Sequence, residues 1–220
     1  MYFLGREREI SRINRSLSQG KNIVVTGKYG VGKTALIKHV AERNAEKWRF
    51  LFADFSQAPG KVCHDLLAKL PRKKKKGRAK YLAYKQSRSL LLNLAARDSR
   101  PYVLVLDNLG KLTHQKMTLI RYLVFEKQFL FIIITERFLD PDDFTGLRAC
   151  LYPCLRIDLQ NLGEKKAVEF LKHFSALRQL PWTDAHIRML AKAANGYPLG
   201  MQDFVAQELK KIKPDKHGDA

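Results

Sequence analysis

Residues 27–34 read GKYGVGKT, a G-x-x-x-x-G-K-T string set between an apolar run and a helical stretch. Residues of these types at this spacing handle phosphate. Gly27, Gly30 and Gly32 let the backbone turn its N–H groups inward around an anion, and Lys28, Tyr29 and Val31 carry the other N–H groups of the loop. Lys33 can reach terminal phosphates and Thr34 can ligate Mg²⁺. From Thr34 and Ala35 onward a helix N-terminus adds its dipole. The chemistry implied is the binding of a nucleoside triphosphate, with ATP and Mg²⁺ as the cofactors.

Such a site needs further groups at the ends of neighbouring strands. YVLVLD (102–107) brings Asp107 as the carboxylate that holds Mg²⁺. The next residue is Asn108, where vigorous P-loop hydrolases often carry Glu. An amide can hydrogen-bond water but cannot take its proton, which predicts slow hydrolysis or a base supplied from elsewhere. FLFIIITER (129–137) ends in Thr135, Glu136 and Arg137. Polar residues at the carboxyl end of such a strand lie beside the ligand of a doubly wound sheet, and Arg137 is suited to read a γ-phosphate.

The elements that must position these groups alternate in type, which argues for an α/β fold with a parallel sheet between helices. Strands are predicted over 22–27, 49–56, 102–109, 129–136 and 155–159, those over 102–109 and 129–136 being near-continuous in Val, Ile, Leu and Phe as doubly covered strands are. Helices are predicted over 33–47, 61–70 and 81–97, with Pro59–Gly60 ending the second strand. From Gly163 the periodicity is helical throughout, giving a P-loop α/β domain over 1–160, a small helical domain over 161–212 and a frayed tail over 213–220.

Charge sets the partners. The 220 residues carry a net +20, with a pI near 10.0. Between Gly60 and Arg100 thirteen Lys and Arg stand against Asp65 and Asp98, a net +11 in under a fifth of the chain. Its centre is PRKKKKGRAK (71–80), with Arg72, Lys73, Lys74, Lys75, Lys76, Arg78 and Lys80. Such a run neutralises phosphates and releases counterions, so nucleic acid is the expected partner, double-stranded DNA first, with a solvated loop and a membrane or other acidic partner as the alternatives. Tyr81 and Tyr84 follow it and can stack on bases or sit in a helix core. Cys63, Cys150 and Cys154 make neither a disulfide framework nor a four-ligand zinc set, and reduced thiols are expected. The longest apolar run is far too short to cross a membrane, and a cytoplasmic location, nucleoid-associated if DNA is the partner, is expected without a membrane partner.

In combination the motifs resemble AAA+ initiator-type ATPases and STAND nucleotide switches. FLGREREISRI resembles their box ahead of the P-loop, LVLDN and IIITER follow in order, DLQNLGEKKAVEFL resembles the entry to a helical lid, and GYPLG (196–200) a G-x-P motif. The resemblance implies that Gly5 and Arg6 lie near the base or hinge, that Thr135 and Arg137 sense the γ-phosphate, and that Pro198 packs near the adenine. It implies a homo-oligomer, with Arg148 or Arg156 as the finger acting on a neighbouring subunit. After Pro198 the chain offers Leu199, Gly200, Met201 and Gln202, without the sensor arginine that initiator-type lids usually carry. Two functions stay open: an ATPase that controls its own assembly on DNA, and a STAND-type switch acting through a protein partner.

Overall fold

The computed structural model describes residues 4–70, 83–136 and 139–212. The lysine-rich segment 71–80 with its seven cations, Tyr81 and Arg137 lie outside the described residues. In chain order the elements are α1 (Glu7–Ser18), β1 (Asn22–Gly27), α2 (Lys33–Arg43), β2 (Arg49–Asp54), α3 (Pro59–Lys69), α4 (Tyr84–Ala95), β3 (Tyr102–Leu109), α5 (His114–Phe125), β4 (Phe129–Glu136), α6 (Pro141–Cys150), β5 (Cys154–Leu159), α7 (Glu164–Arg178), α8 (Asp184–Ala193) and α9 (Pro198–Ile212).

Two compact units emerge. The first takes residues 7–27 and 33–158, as far as described. Its sheet has the order β2–β3–β4–β1–β5, and the pairs β2–β3, β3–β4 and β4–β1 are parallel. The strands are apolar because helices cover both faces. Val24, Leu104, Leu106, Phe131 and Ile133 are buried in one cluster with Leu66, Leu91, Leu119 and Leu123 of the helices. Register then decides which polar residues meet at the carboxyl ends. Asp54 stands opposite Asp107, Thr26 opposite Thr135, and Gly27 opposite Glu136. Against β4, β3 carries an extra residue between Leu106 and Leu109, a bulge that contains Asp107 and Asn108. Bulges re-aim side chains, and Asn108 sits there at φ 60°.

The second unit takes 4–6, 28–32 and 159–212 as far as described. Its core joins Ala167 and Leu171 of α7, Leu180 of the connection that follows, Ile187 and Ala191 of α8, and Met201 and Val205 of α9. Thr183 caps α8 by accepting from the His186 N–H, and Gln179 ends α7 in the left-handed conformation. The first glycine of the GYPLG stretch is dictated by packing. Gly196 has φ 65°, its carbonyl accepts from the Leu162 N–H at 2.9 Å, and a Cβ there would lie 1.9 Å from the Leu162 carbonyl oxygen.

Several elements differ from expectation. Pro59 does not end β2, which stops at Asp54; it opens α3 at a first-turn position, where its missing N–H is no loss. The helix after the P-loop stops at Arg43, where the Asn44 amide donates to the Val40 carbonyl. Of the described residues 83–97, Tyr84–Ala95 are helical, and β2 ends at Asp54 rather than 56. Helices α1, α5 and α6 were not anticipated. No helix among the described residues is long and apolar enough to cross a membrane.

Candidate nucleotide site

In the sheet unit, the start of α2 and the ends of β3 and β4 bring four side chains together. Lys33 is 7% exposed, and its Nζ donates to the Gly27 carbonyl at 2.9 Å and to Glu136 Oε1 at 3.0 Å. Thr34 Oγ1 donates to Asp107 Oδ2 at 2.8 Å. The predicted pair of Mg²⁺-holding residues, 73 positions apart in sequence, is therefore in direct contact. Hydroxyl and carboxylate oxygens are the hard donors that Mg²⁺ takes, so this donor set suits that ion. Glu136 was not singled out by sequence. Its signal was its place at the carboxyl end of an apolar strand, and its Oε2 is buried with no partner among the described residues.

Thr135 is turned elsewhere. It is 1% exposed, and its hydroxyl donates to the Leu109 carbonyl at 2.7 Å, across the β3–β4 pair. Asn108 is exposed. Its backbone N–H donates to Asp107 Oδ1 at 2.9 Å and its Nδ2 donates to Asp54 Oδ1 at 3.2 Å. Asp54 was also missed by sequence. Hydrogen bonds from Ser56, and then from Asn108 and Gln57, hold its carboxyl down at about 2.

In the second unit, the loop 28–32 is packed by the residues of the GYPLG stretch. The Tyr197 hydroxyl donates to the Tyr29 carbonyl at 2.7 Å. Gly30, at φ 69°, leaves no room for a side chain: a Cβ would come within 2.6 Å of Leu199 Cβ and of the Tyr197 hydroxyl. Arg6 joins the same unit, its Nη2 donating to the Gln160 carbonyl and, at 3.5 Å, to that of Val31. Gly5 is buried against Leu162 and Lys166. Pro198 is the first residue of α9, and its neighbour Tyr197 makes the polar contact with the loop. Lys28 and Tyr29 are exposed, Val31 is buried, and Gly32 and Ala35 are half-buried.

Arg148 and Arg156 are both exposed and both lie over the Phe144 ring, at 6.0 and 4.8 Å. Cys63 is fully buried, which pushes its thiol up to about 11, while Cys150 and Cys154 are half-buried free thiols. No cluster of metal-binding His, Cys, Asp or Glu occurs among the described residues.

Residues 2–133 match the AAA ATPase domain family. The chain belongs to that family. Its fold is that of AAA+ P-loop ATPases, with a five-stranded sheet between helices and further helices C-terminal to it. Aeropyrum pernix ORC1, solved in complex with DNA, is similar at 15% identity and TM-score 0.73, over 100% of this chain and 63% of that one. The Thermotoga maritima RuvB Holliday junction branch migration motor is similar at 17% identity and TM-score 0.61, over 96% of this chain and 64% of that one. The Saccharomyces cerevisiae Hsp104–ADP complex is similar at 17% identity and TM-score 0.65, over 93% of this chain and 30% of that one. This AAA ATPase chain thus spans less than two thirds of each of those proteins. No curated protein matches it.

Proposed function

We propose that this AAA ATPase binds ATP with Mg²⁺ through residues 27–34 and uses binding and slow hydrolysis to control its assembly on nucleic acid, double-stranded DNA first. The observation that carries the nucleotide reading is the Thr34–Asp107 hydrogen bond at 2.8 Å, beside a lysine that is 7% exposed. A buried ammonium needs a counter-charge, and here Glu136 and the Gly27 carbonyl supply it. Phosphate oxygens offer the same Nζ a stronger set of partners. Mg²⁺, when bound, would neutralise phosphate charge, and Thr34 and Asp107 are the residues to hold it. Gly5, Arg6 and Pro198 are proposed for the base end of the nucleotide. Asn108 cannot take a proton, which supports a slow rate.

Nucleic acid is supported by composition. The +11 concentrated between Gly60 and Arg100 favours a polyanion, and its seven-cation run is rich enough to bind without regard to base sequence. The likeness to a DNA-bound ORC1 and to RuvB points the same way at the level of fold. Assembly as a homo-oligomer, with Arg148 or Arg156 reaching a neighbour's nucleotide, belongs to the same proposal. A second reading, a STAND-type switch acting through a protein partner, is favoured by the Tyr197–Tyr29 contact, which ties GYPLG to the loop.

The test is binding of the chain to a labelled random-sequence duplex with ATP, with ADP and without nucleotide, alongside Lys33→Ala and a variant with Lys73 to Lys76 changed to Ala. ATP-dependent binding lost in both variants is the expected result. Binding indifferent to nucleotide reduces the basic run to generic charge. No binding at moderate salt removes the DNA reading in favour of a protein partner.

A further inference from the structure

A large aromatic side chain left alone on a surface is ordinary. Two left together on a rigid edge, among cations that pair with nothing, are not. That edge is the amino-terminal end of the sheet in the first unit, where β1, β4 and β5 begin, at the opposite strand ends from Asp107 and Glu136. Phe125 closes α5 and is 82% exposed, and Tyr152, in the turn between α6 and β5, is 83% exposed.

The helices bring the two rings to one place. α5 and α6 lie side by side and in step: a Cβ at Gly146 would sit 3.7 Å from Met117 Cε. One turn later, burial raises the Cys150 thiol and the Arg121 charge pulls it back. The same step carried one turn further brings Phe125 beside the turn that holds Tyr152. Asn22, 8% exposed, fixes that turn. Its backbone N–H donates to the Pro153 carbonyl at 3.0 Å, its Nδ2 to the Leu151 carbonyl at 2.8 Å, and its Oδ1 accepts from the Phe131 N–H at 2.9 Å. One buried amide thus ties β1 to both of its neighbours, so the rings stand on a fixed base and lose little freedom when they bind.

The charge around them is of one sign. Lys21 adjoins Asn22, Arg121 lies one turn before Phe125, and Lys127 follows it by two residues. All three are exposed, and none pairs with a carboxylate among the described residues; Glu126 is the acid beside them. The same patch on a second copy would be repelled, whereas a polyanion is attracted. Flat rings among cations match a strand whose bases are unpaired: the rings take base faces and the cations take phosphates. A duplex hides its base faces by stacking and could use only the cations.

We propose that Phe125 and Tyr152, with Lys21, Arg121 and Lys127, form a binding surface for single-stranded nucleic acid, the rings stacking on unpaired bases and the cations meeting phosphates. This goes beyond the duplex grip proposed for 71–80, since it uses none of those residues and requires no ATP.

The test titrates the full chain against a labelled oligothymidylate of about 16 nucleotides and a random-sequence duplex of the same length. Phe125→Ala and Tyr152→Ala should each weaken single-strand binding about tenfold and leave duplex binding unchanged. Changing Lys21, Arg121 and Lys127 together to Ala should flatten the single-strand salt slope by about 2. Tyr152→Trp should keep the affinity, with an indole fluorescence that the oligonucleotide quenches beyond any change in the wild type. Charge attraction alone does not quench it, and this variant keeps the test open if an alanine variant fails to fold. Wild-type affinity for the single strand in both alanine variants overturns the proposal, as does an equal loss on the duplex. So does sedimentation in which the wild type self-associates, the alanine variants do not, and all hold the single strand equally; the surface would then take a second copy. A chain that binds the duplex and no single strand sinks this proposal and leaves the proposed function standing. Ring-dependent binding of the single strand with no binding of the duplex does the reverse.

Discussion

Lys33 shows how far a single residue's surroundings shape its function. A lysine at 7% exposure is held in the protein by Glu136 and by the Gly27 carbonyl, and ligand phosphates would have to compete with both. If nucleotide binds as proposed, Glu136 would act against it twice, by occupying Lys33 and by adding negative charge near incoming phosphates. Replacing it as Glu136→Gln keeps the shape and removes the charge. ATP affinity is expected to rise about tenfold, the size of one charge interaction of about 1–2 kcal/mol in a partly solvated site. Equilibrium titration with a fluorescent ATP analogue measures it, and a weaker affinity in the variant would mean that Glu136 supports the bound state instead. The same substitution should cost some stability in the unliganded protein, because it exchanges the charged partner of a buried ammonium for a neutral amide.

Among the elements, those proposed to carry the phosphate site were the most legible in sequence. β1, β3 and β4 each hold an apolar run that ends in polar residues, and the glycine loop stands between a strand and a helix. Helix α5 was harder because its buried face, Lys116, Leu119, Ile120 and Leu123, has helical spacing but begins with a lysine. The partner of Asn108 was hidden for another reason: Asp54 and Asp107 are joined by register, which no local pattern encodes. Tyr197 was passed over in favour of Pro198, since the value of its hydroxyl depends on a carbonyl 168 positions away. The start of the β2–β3 pair carries a prediction of its own. Tyr102, at 2% exposure, donates to Asp98 Oδ2 at 2.7 Å, and Arg49 pairs with the same carboxylate at 2.7 Å. Burial first, and then the Asp98 hydrogen bond and charge, push its phenol up to about 12. A raised pKa stabilises the fold below the unfolded value, near 10, and that contribution fades as pH climbs towards 12. Its full size is about 2–3 kcal/mol by linkage. Denaturant unfolding should thus show the wild type losing stability between pH 10 and 12 more steeply than Tyr102→Phe, which should already be weaker at pH 8. Equal slopes would mean that Tyr102 titrates as an ordinary surface phenol.

At the scale of the whole molecule, charge is the dominant fact: +20 over 220 residues, more than half of it between Gly60 and Arg100. A field of this sign gathers any polyanion, so affinity for DNA alone says little about function. The dependence on salt says more. Each cation that neutralises a phosphate of a duplex contributes about −0.9 to the slope of log affinity against log salt. If Lys73 to Lys76 grip the backbone, changing all four to Ala should flatten that slope by about 3 to 4. Between 50 and 200 mM salt, a change of that size reduces the fall in affinity by about a hundredfold, well within reach of a fluorescence anisotropy titration. Diffuse attraction predicts otherwise: four cations among forty-one Lys and Arg would alter the slope only slightly. Repeating the titration with ATP and with ADP then separates a nucleotide-gated grip from a constant one. A slope that falls by 3 to 4 only in the presence of ATP would tie the lysine run to the Lys33 site across the chain, whereas the same fall with every nucleotide would leave a grip that ATP does not govern.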